Sequence, residues 1–207
     1  MKRLICILSI LLTGSFLALA QTPQEIIARM EAEMEKHEGE GLIMTVDTKV
    51  PVLGTIAIKS YTLGNKARIE TELKGYKLIE WTDGISDWEY DSKNKKIEIT
   101  KADPSTMDDA GDAELFSDIT DGYDVTLKKE TDDAWYFTCK KSKTNTDKDA
   151  PKNVDLVVSK KNYYPVSLSA KISGITMTMR DISFGVTEKQ VTFNAADFPG
   201  IAIVDKR

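Results

Sequence analysis

The sequence predicts a mainly β protein of the α+β class, in which a curled antiparallel sheet forms a half-open barrel of about ten or eleven strands. Short β-rich runs separated by turn residues recur along most of the chain, and an amphipathic helix precedes them. A sheet of that many strands cannot stay flat, so it closes or curls. We expect the N-terminal helix and a short helical insertion to cover its concave face.

The first twenty residues have the composition of a secretory signal peptide. Lys2 and Arg3 precede the apolar run 4–12, and Ala18-Leu19-Ala20 is a small-residue cleavage pattern. The run is shorter than the roughly 20 residues that a membrane-spanning helix needs. No cysteine stands at the cleavage point, which argues against a lipid anchor. We therefore expect an exported protein with a single domain over residues 21–207.

The charge balance restricts the partners. The chain has 33 acidic and 28 basic residues, and the loss of Lys2 and Arg3 with the signal peptide takes the net charge from −5 to −7. Nucleic acids and anionic membrane surfaces repel a protein of net negative charge. The composition therefore argues against both as partners.

The segment after the signal peptide predicts an amphipathic helix from Thr22 to His37. Thr22 can cap it, Pro23 suits the first helical position, and Glu25 completes a capping box. Strand patterns follow over residues 42–50, 55–61 and 67–73. Four apolar residues of the helix recur at a spacing that places them on one face: Ile26, Ile27, Met30 and Met34.

The stretch Gly75–Thr100 predicts three consecutive antiparallel strands. Asp83-Gly84 is a two-residue hairpin signal, because glycine accepts the positive φ of such a turn. This turn would set Trp81 opposite Ser86. A second turn over residues 92–95 brings in the third strand.

Alternation along these three strands predicts two different sides. Glu80, placed opposite Asp87, belongs to an acidic side that faces water, where the like-charge pair is tolerable. The second turn sets Trp88 opposite Ile99 on the other, apolar side. That side carries Ile79, Trp81, Trp88, Tyr90, Ile97 and Ile99.

The chain changes character at Ala102. Asp103 can cap a helix and Pro104 can begin one, whereas Gly111 weakens it by about 1 kcal/mol. We interpret this region as a short, acidic helical insertion. Strand patterns resume over residues 123–129, 134–140, 154–159, 166–172 and 175–184.

Residues that catalysis or metal binding would need are missing or isolated. His37 is the only histidine and is expected to be an exposed surface residue, so a catalytic triad has no base. Cys139 alternates with Trp135 and Phe137, as a buried apolar residue would. The acids of residues 103–112 lack the spacing of a calcium loop. We expect no catalytic residues, no metal site and no cofactor, although the many carboxylates leave a secreted hydrolase as a third interpretation.

The order of the predicted elements and two sequence segments resemble the LolA family of periplasmic lipoprotein carriers. Residues 82–84 (TDG) followed by 88–91 (WEYD) are similar to the DG-x-x-x-W-x-Y segment of the family. Residues 193–205, FNAADFPGIAIVD, are similar to its C-terminal ending. The resemblance implies a periplasmic half-open barrel with a helical lid over an apolar cavity for acyl chains. It also implies transfer from an inner-membrane ABC release complex to an outer-membrane acceptor, and we expect a monomer.

This resemblance assigns roles to the apolar positions. The insertion 103–119 would be the lid, with Met107, Leu115, Phe116 and Ile119 as its apolar residues. The family's latching Arg-Pro pair has no counterpart in residues 61–68, where Arg68 is displaced, so the latch role is not assigned. The predicted cavity lining combines the apolar side of the hairpin with three alternate residues of the last strand: Ile79, Trp81, Trp88, Tyr90, Ile97, Ile99, Ile175, Met177 and Met179.

Besides the hydrolase, two functions remain open for this fold. The leading one is a carrier of lipoprotein acyl chains or other lipids. The other is a periplasmic sensor or scaffold of the same fold that acts by binding lipid or protein without carrying cargo. An open apolar cavity would favour the carrier, and a cavity filled by side chains would favour the interaction module.

Overall fold

The computed structural model of the protein describes residues 21–52, 54–103 and 120–207. The predicted signal peptide and the four predicted lid residues, Met107, Leu115, Phe116 and Ile119, lie outside the described residues. Two helices, α1 (Pro23–Glu35) and α2 (Glu188–Val191), and a short 3-10 helix (Ala195–Asp197) accompany a single twelve-stranded sheet within these ranges. Its strands are β1 (Leu42–Val50), β2 (Gly54–Leu63), β3 (Lys66–Leu73), β4 (Tyr76–Thr82), β5 (Ser86–Asp91), β6 (Lys96–Lys101), β7 (Tyr123–Glu130), β8 (Ala134–Lys141), β9 (Asn153–Ser159), β10 (Pro165–Ile172), β11 (Ile175–Phe184) and β12 (Ala202–Asp205).

Two meanders make up the sheet. Strands β1 to β6 follow one another, as do β7 to β11, and the antiparallel pair β1/β11 joins the two halves. The full order is β12-β6-β5-β4-β3-β2-β1-β11-β10-β9-β8-β7, so β12 and β7 are edges and the sheet is not closed. This is the curled, half-open barrel that the sequence predicts.

The edge strand β12 was not predicted. All four of its residues are exposed, so it has no burial alternation that would mark it in the sequence. It pairs in parallel with β6, about a hundred residues earlier, and no local turn announces such a pairing. Lys206 fixes it there by an ion pair with Glu98 at 2.6 Å.

Residues directly opposite one another in neighbouring strands share a face, so the pairing assigns each strand residue to one of two faces. We call the face that contacts α1 the helix face. Most of the main core lies between α1 and this face over strands β7 to β10. The buried residues of this core are Ile26, Ile27, Met30, Trp135, Phe137, Cys139, Val154, Leu156 and Val158.

Helix α1 forms as its sequence predicts. The Thr22 backbone N–H donates to Glu25 Oε2 at 2.7 Å, and the Glu25 N–H donates to Thr22 Oγ1 at 3.2 Å, which completes the capping box. The helix ends at Glu35, two residues before the predicted end. All four apolar residues of its predicted face are buried, as is Cys139.

His37 is not the exposed histidine that the sequence suggested. Its ring stacks on Phe184 with centroids 4.5 Å apart and planes 2° apart. Its Nδ1 lies 2.8 Å from Glu40 Oε2, and its Nε2 contacts the Tyr164 hydroxyl. The residue therefore holds the end of α1 against β11 and the β9–β10 turn, a role that depends on distant partners.

Candidate functional site

The β4–β5 hairpin has the predicted faces but a different register. Trp81 lies opposite Trp88, two residues from its predicted partner Ser86. The turn is longer than predicted, because Asp83 Oδ1 accepts hydrogen bonds from the N–H groups of Ile85 and Ser86 at 2.9 and 2.8 Å. A shift of two residues keeps every side chain on its predicted side. The β5–β6 pairing, including Trp88 opposite Ile99, is as predicted.

The apolar side of this hairpin packs against the C-terminal segment 192–201, which we call the tail segment. Phe193 stacks on Trp88 with centroids 5.7 Å apart and meets Trp81 edge-on at 5.4 Å. Phe198 lies 4.8 Å from the Tyr90 ring and 5.7 Å from Trp81. We call this the tail face; it is the reverse of the helix face, and the tail segment makes it a second core.

The nine residues predicted to line one cavity are therefore divided between two faces. Ile79, Trp81, Trp88, Tyr90, Ile97 and Ile99 belong to the tail face, so the prediction that they share a cavity with the last strand is wrong. Its physical reason is that alternation identifies an apolar side without saying which segment covers it. The two phenylalanines of the tail segment could have indicated the covering segment, since they also need an apolar surface to pack against.

The other three predicted residues lie on the helix face and are half-buried: Ile175, Met177 and Met179. Met179 lies opposite Leu168 of β10, which packs against the core under α1, and opposite Val46 of β1. Val46 in turn lies opposite Ile58. An apolar row thus continues from the closed core onto strands β11, β1 and β2.

The apolar row extends beyond the part that α1 closes. Ile58 lies opposite Thr71 of β3, and Thr71 lies opposite Leu78 of β4. The next residue across the sheet is Asp91 of β5, which ends the apolar row. These residues belong to neither of the buried clusters that α1 forms. We call the half-buried set the open apolar patch: Val46, Ile56, Ile58, Leu78, Ile175, Met177 and Met179. Sequence reasoning missed the β1, β2 and β4 members, although the alternation Ile56-Ala57-Ile58-Lys59 could have identified two of them.

An acidic row borders the patch. Glu80, Glu89 and Glu98 lie side by side on β4, β5 and β6, on the helix face. They line a depression of about 330 Å³ whose apolar part includes Ala67 and Ile69. This is the acidic side that the sequence predicts, although Glu80 faces Glu89 where Asp87 was expected.

The three carboxylates have different environments. Although Glu80 is exposed overall, partial desolvation raises the pKa of its carboxyl group, and the carboxylates of Glu89 and Asp87 raise it further. Lys206 and Lys96 instead hold the pKa of Glu98 at about 2 through hydrogen bonds. The Glu80 carboxylate therefore has an unfavourable environment, whereas two lysines neutralise the Glu98 carboxylate.

We expect Glu80→Gln to stabilise the protein at neutral pH by about 0.5 kcal/mol, because it removes a like-charge cross-strand pair. A raised folded-state pKa means that stability falls as pH rises through and above the ordinary value of 4.5, so the gain should vanish below that pH. Urea unfolding at several pH values measures it. Glu72→Gln is the matched control, since Glu72 lies opposite Lys77 and should give no gain; an equal gain would contradict the explanation.

Arg68 does not reach the helix face. Its guanidinium lies over the Tyr61 and Trp81 rings, 5.7 and 5.6 Å from their centroids, and pairs with Glu70 at 2.5 Å. All four residues are on the tail face. Arg68 therefore packs on the tail face and cannot act as a latch over the open apolar patch.

No group of three or more His, Cys, Asp or Glu side chains in residues 21–52, 54–103 and 120–207 is arranged to hold a metal ion. In that same part of the chain, no helix has the length and apolar content needed to cross a membrane.

Comparison with solved structures finds similar proteins, whereas comparison of sequences finds none. Neither the protein-family models nor the curated proteins give a match. The Mycobacterium tuberculosis lipoprotein LppX superposes with a TM-score of 0.51 at 14% identity, over 80% of this chain and 98% of LppX. At that identity the similarity shows the fold alone. The chain therefore shares the fold of LppX.

Two other solved structures are similar to a lesser degree. A LolA superfamily protein from Nitrosomonas europaea gives a TM-score of 0.33 at 12% identity, over 86% of this chain and all of that protein. The Pseudomonas aeruginosa MucA/MucB complex gives 0.42 at 13% identity, over 84% of this chain and 61% of the matched one. Superpositions of this quality carry no argument about function.

Proposed function

We propose that the protein is a periplasmic carrier that binds the acyl chains of lipoproteins, or of other lipids, on the open apolar patch. The observation that carries the proposal is the apolar row of the helix face, which continues from the core under α1 to Leu78 but stays half-buried beyond β10. In the full proposal, an inner-membrane ABC release complex loads the carrier and an outer-membrane acceptor unloads it.

The energetics of the patch suit reversible binding. Burial of an acyl chain contributes about 0.8 kcal/mol per methylene, so about a dozen methylenes contribute on the order of 10 kcal/mol before ordering costs. That total brackets micromolar to nanomolar affinity. Met177 and Met179 are unbranched and polarisable, so they adapt to chains of different shape. Neighbouring Val46 and Ile58 provide a stiffer surface beside them.

The test uses purified residues 21–207, incubated with spheroplasts that display a newly made outer-membrane lipoprotein. We expect wild-type protein to carry the lipoprotein into the soluble fraction and to co-elute with it in gel filtration. Met179→Asp should reduce the recovered cargo at least tenfold, because a charge in the patch opposes acyl burial. Circular dichroism of the variant establishes that it is folded.

Ile85→Asp provides the matched control. Ile85 is also an apolar residue, 77% exposed, but it lies in the β4–β5 turn away from the patch. This variant should release as much lipoprotein as wild type. A wild-type protein that releases no lipoprotein and yields no acyl lipid on organic extraction would overturn the carrier proposal and favour the sensor or scaffold function.

A further inference from the structure

Five chain turns meet at one end of the sheet. Because neighbouring strands are antiparallel, alternate connections lie at the same end of the sheet. The end where β1 finishes and β11 begins carries five of them: β1–β2, β3–β4, β5–β6, β8–β9 and β10–β11. We call this end the rim. Exposed lysines recur around it, in a chain whose overall charge is negative.

The β1–β2 turn presents an unusual residue at the rim. Val52 is fully exposed, with a relative exposure of 105%, and its φ is 71°. A β-branched residue is strained in the left-handed region, where glycine or asparagine would fit. The turn therefore holds an apolar side chain in water at a conformational cost, and no packing in the described chain compensates it.

Lysines surround this apolar tip. Lys49 and Lys171 flank Thr176 in one cross-strand row, about 10 Å apart from strand spacing. A depression of about 560 Å³ is lined by Lys49, Val52 and Lys171. A second depression, of about 670 Å³, shares Lys171 with it and adds Lys148 and Lys152.

The rim lysines are available to a partner. None of Lys49, Lys148, Lys152 and Lys171 forms an ion pair with another side chain in the described part of the chain, whereas lysines elsewhere, such as Lys66 and Lys160, do. The carboxylates that line the two depressions are those of Asp149 and Asp155. Four cations against two anions leave this surface locally positive.

We propose that the rim docks on an anionic phospholipid membrane, with Val52 inserted among the headgroups and the four lysines against lipid phosphates. A protruding apolar tip flanked by unpaired lysines suits a fluid interface, which needs no complementary pocket, better than it suits a folded acidic protein. The negative net charge of the whole chain argued against such a partner. That value sums the positive rim with an acidic remainder of the surface, so it does not describe the rim itself. This inference goes beyond the carrier proposal and does not depend on cargo binding.

Vesicle flotation with purified residues 21–207 tests the docking. Wild type should bind vesicles containing about one-third phosphatidylglycerol and not pure phosphatidylcholine, and about 0.5 M salt should abolish binding. Lys49→Gln with Lys171→Gln should weaken partitioning about 25-fold, since each lysine near an anionic surface contributes about a fivefold factor. Val52→Asn should weaken it about tenfold, and asparagine accepts the φ of that position, so folding is preserved.

Matched variants at the opposite end of the sheet control for charge and for apolar exposure. Lys161→Gln with Lys189→Gln removes the same charge, and Ile85→Asn removes an exposed apolar residue from another turn. Both should bind vesicles within about twofold of wild type. Docking at the rim is overturned if wild type floats with neither vesicle, if it floats equally with both, or if the control pair weakens binding as much as the rim pair.

Discussion

Phe137→Ala should be among the most destabilising single substitutions, lowering the free energy of unfolding by about 3 to 5 kcal/mol. Phe137 is 2% exposed on β8 and packs in the core that α1 closes. Its removal leaves a cavity between α1 and the sheet. For a domain of this size the melting temperature should fall by roughly 6 to 20 °C.

The neighbouring Tyr136 gives the control for this prediction. It is 36% exposed on the same strand and points to the opposite face, where its ring contact is with Lys129 at 5.4 Å. Tyr136→Ala should cost about 1 kcal/mol or less. Equal losses for the two variants in urea unfolding would mean that α1 does not close the core on that face.

Phe193→Ala should have the second largest effect, about 2 to 3 kcal/mol, although residue 193 lies beyond the last antiparallel strand. Its ring contacts Trp81, Trp88 and Phe198 with centroids between 5.4 and 6.0 Å apart. Truncation removes these ring pairs, and each contributes about 0.5 to 1.5 kcal/mol beyond its buried area. Acrylamide quenching of tryptophan fluorescence should increase as Trp88 becomes accessible.

Thr192→Ala is the companion substitution, because Thr192 is adjacent and exposed. It should leave both the unfolding midpoint and the quenching unchanged. If Phe193→Ala also left them unchanged, the tail segment would not form a second core. Trp81 and Trp88 would then again be candidates for lipid contact.

The parts of the fold that local physics decides could be predicted from the sequence. The capping box and apolar spacing of α1 are complete within residues 22–34, and the alternation in β4 to β6 gives the correct side for every residue. The hairpin register could not be predicted, because it depends on the Asp83 side chain accepting two backbone N–H groups. Strand β12 pairs with a distant strand and shows no alternation.

The candidate site could be predicted only where local alternation decides which side of a strand a residue occupies. Alternation alone puts Met177 and Met179 on one side of β11, and the strand pairing agrees, while their contact with lipid stays a prediction. Trp81 and Trp88 were assigned to the wrong face. The segment that covers them is the tail segment, more than a hundred residues away, and local alternation does not identify it. Local positive charge at the rim is likewise a property of the folded topology, and net charge hides it.

The most direct test of the central claim is to map where an acyl chain binds. Purified residues 21–207 would be loaded with a photoactivatable long-chain fatty acid, irradiated and digested, and the adducts located by mass spectrometry. We expect adducts on the open apolar patch, foremost at Met179, Met177 and Ile58. Adducts confined to Trp81, Trp88 and Tyr90, or no adducts above those of a denatured control, would contradict acyl binding on the helix face.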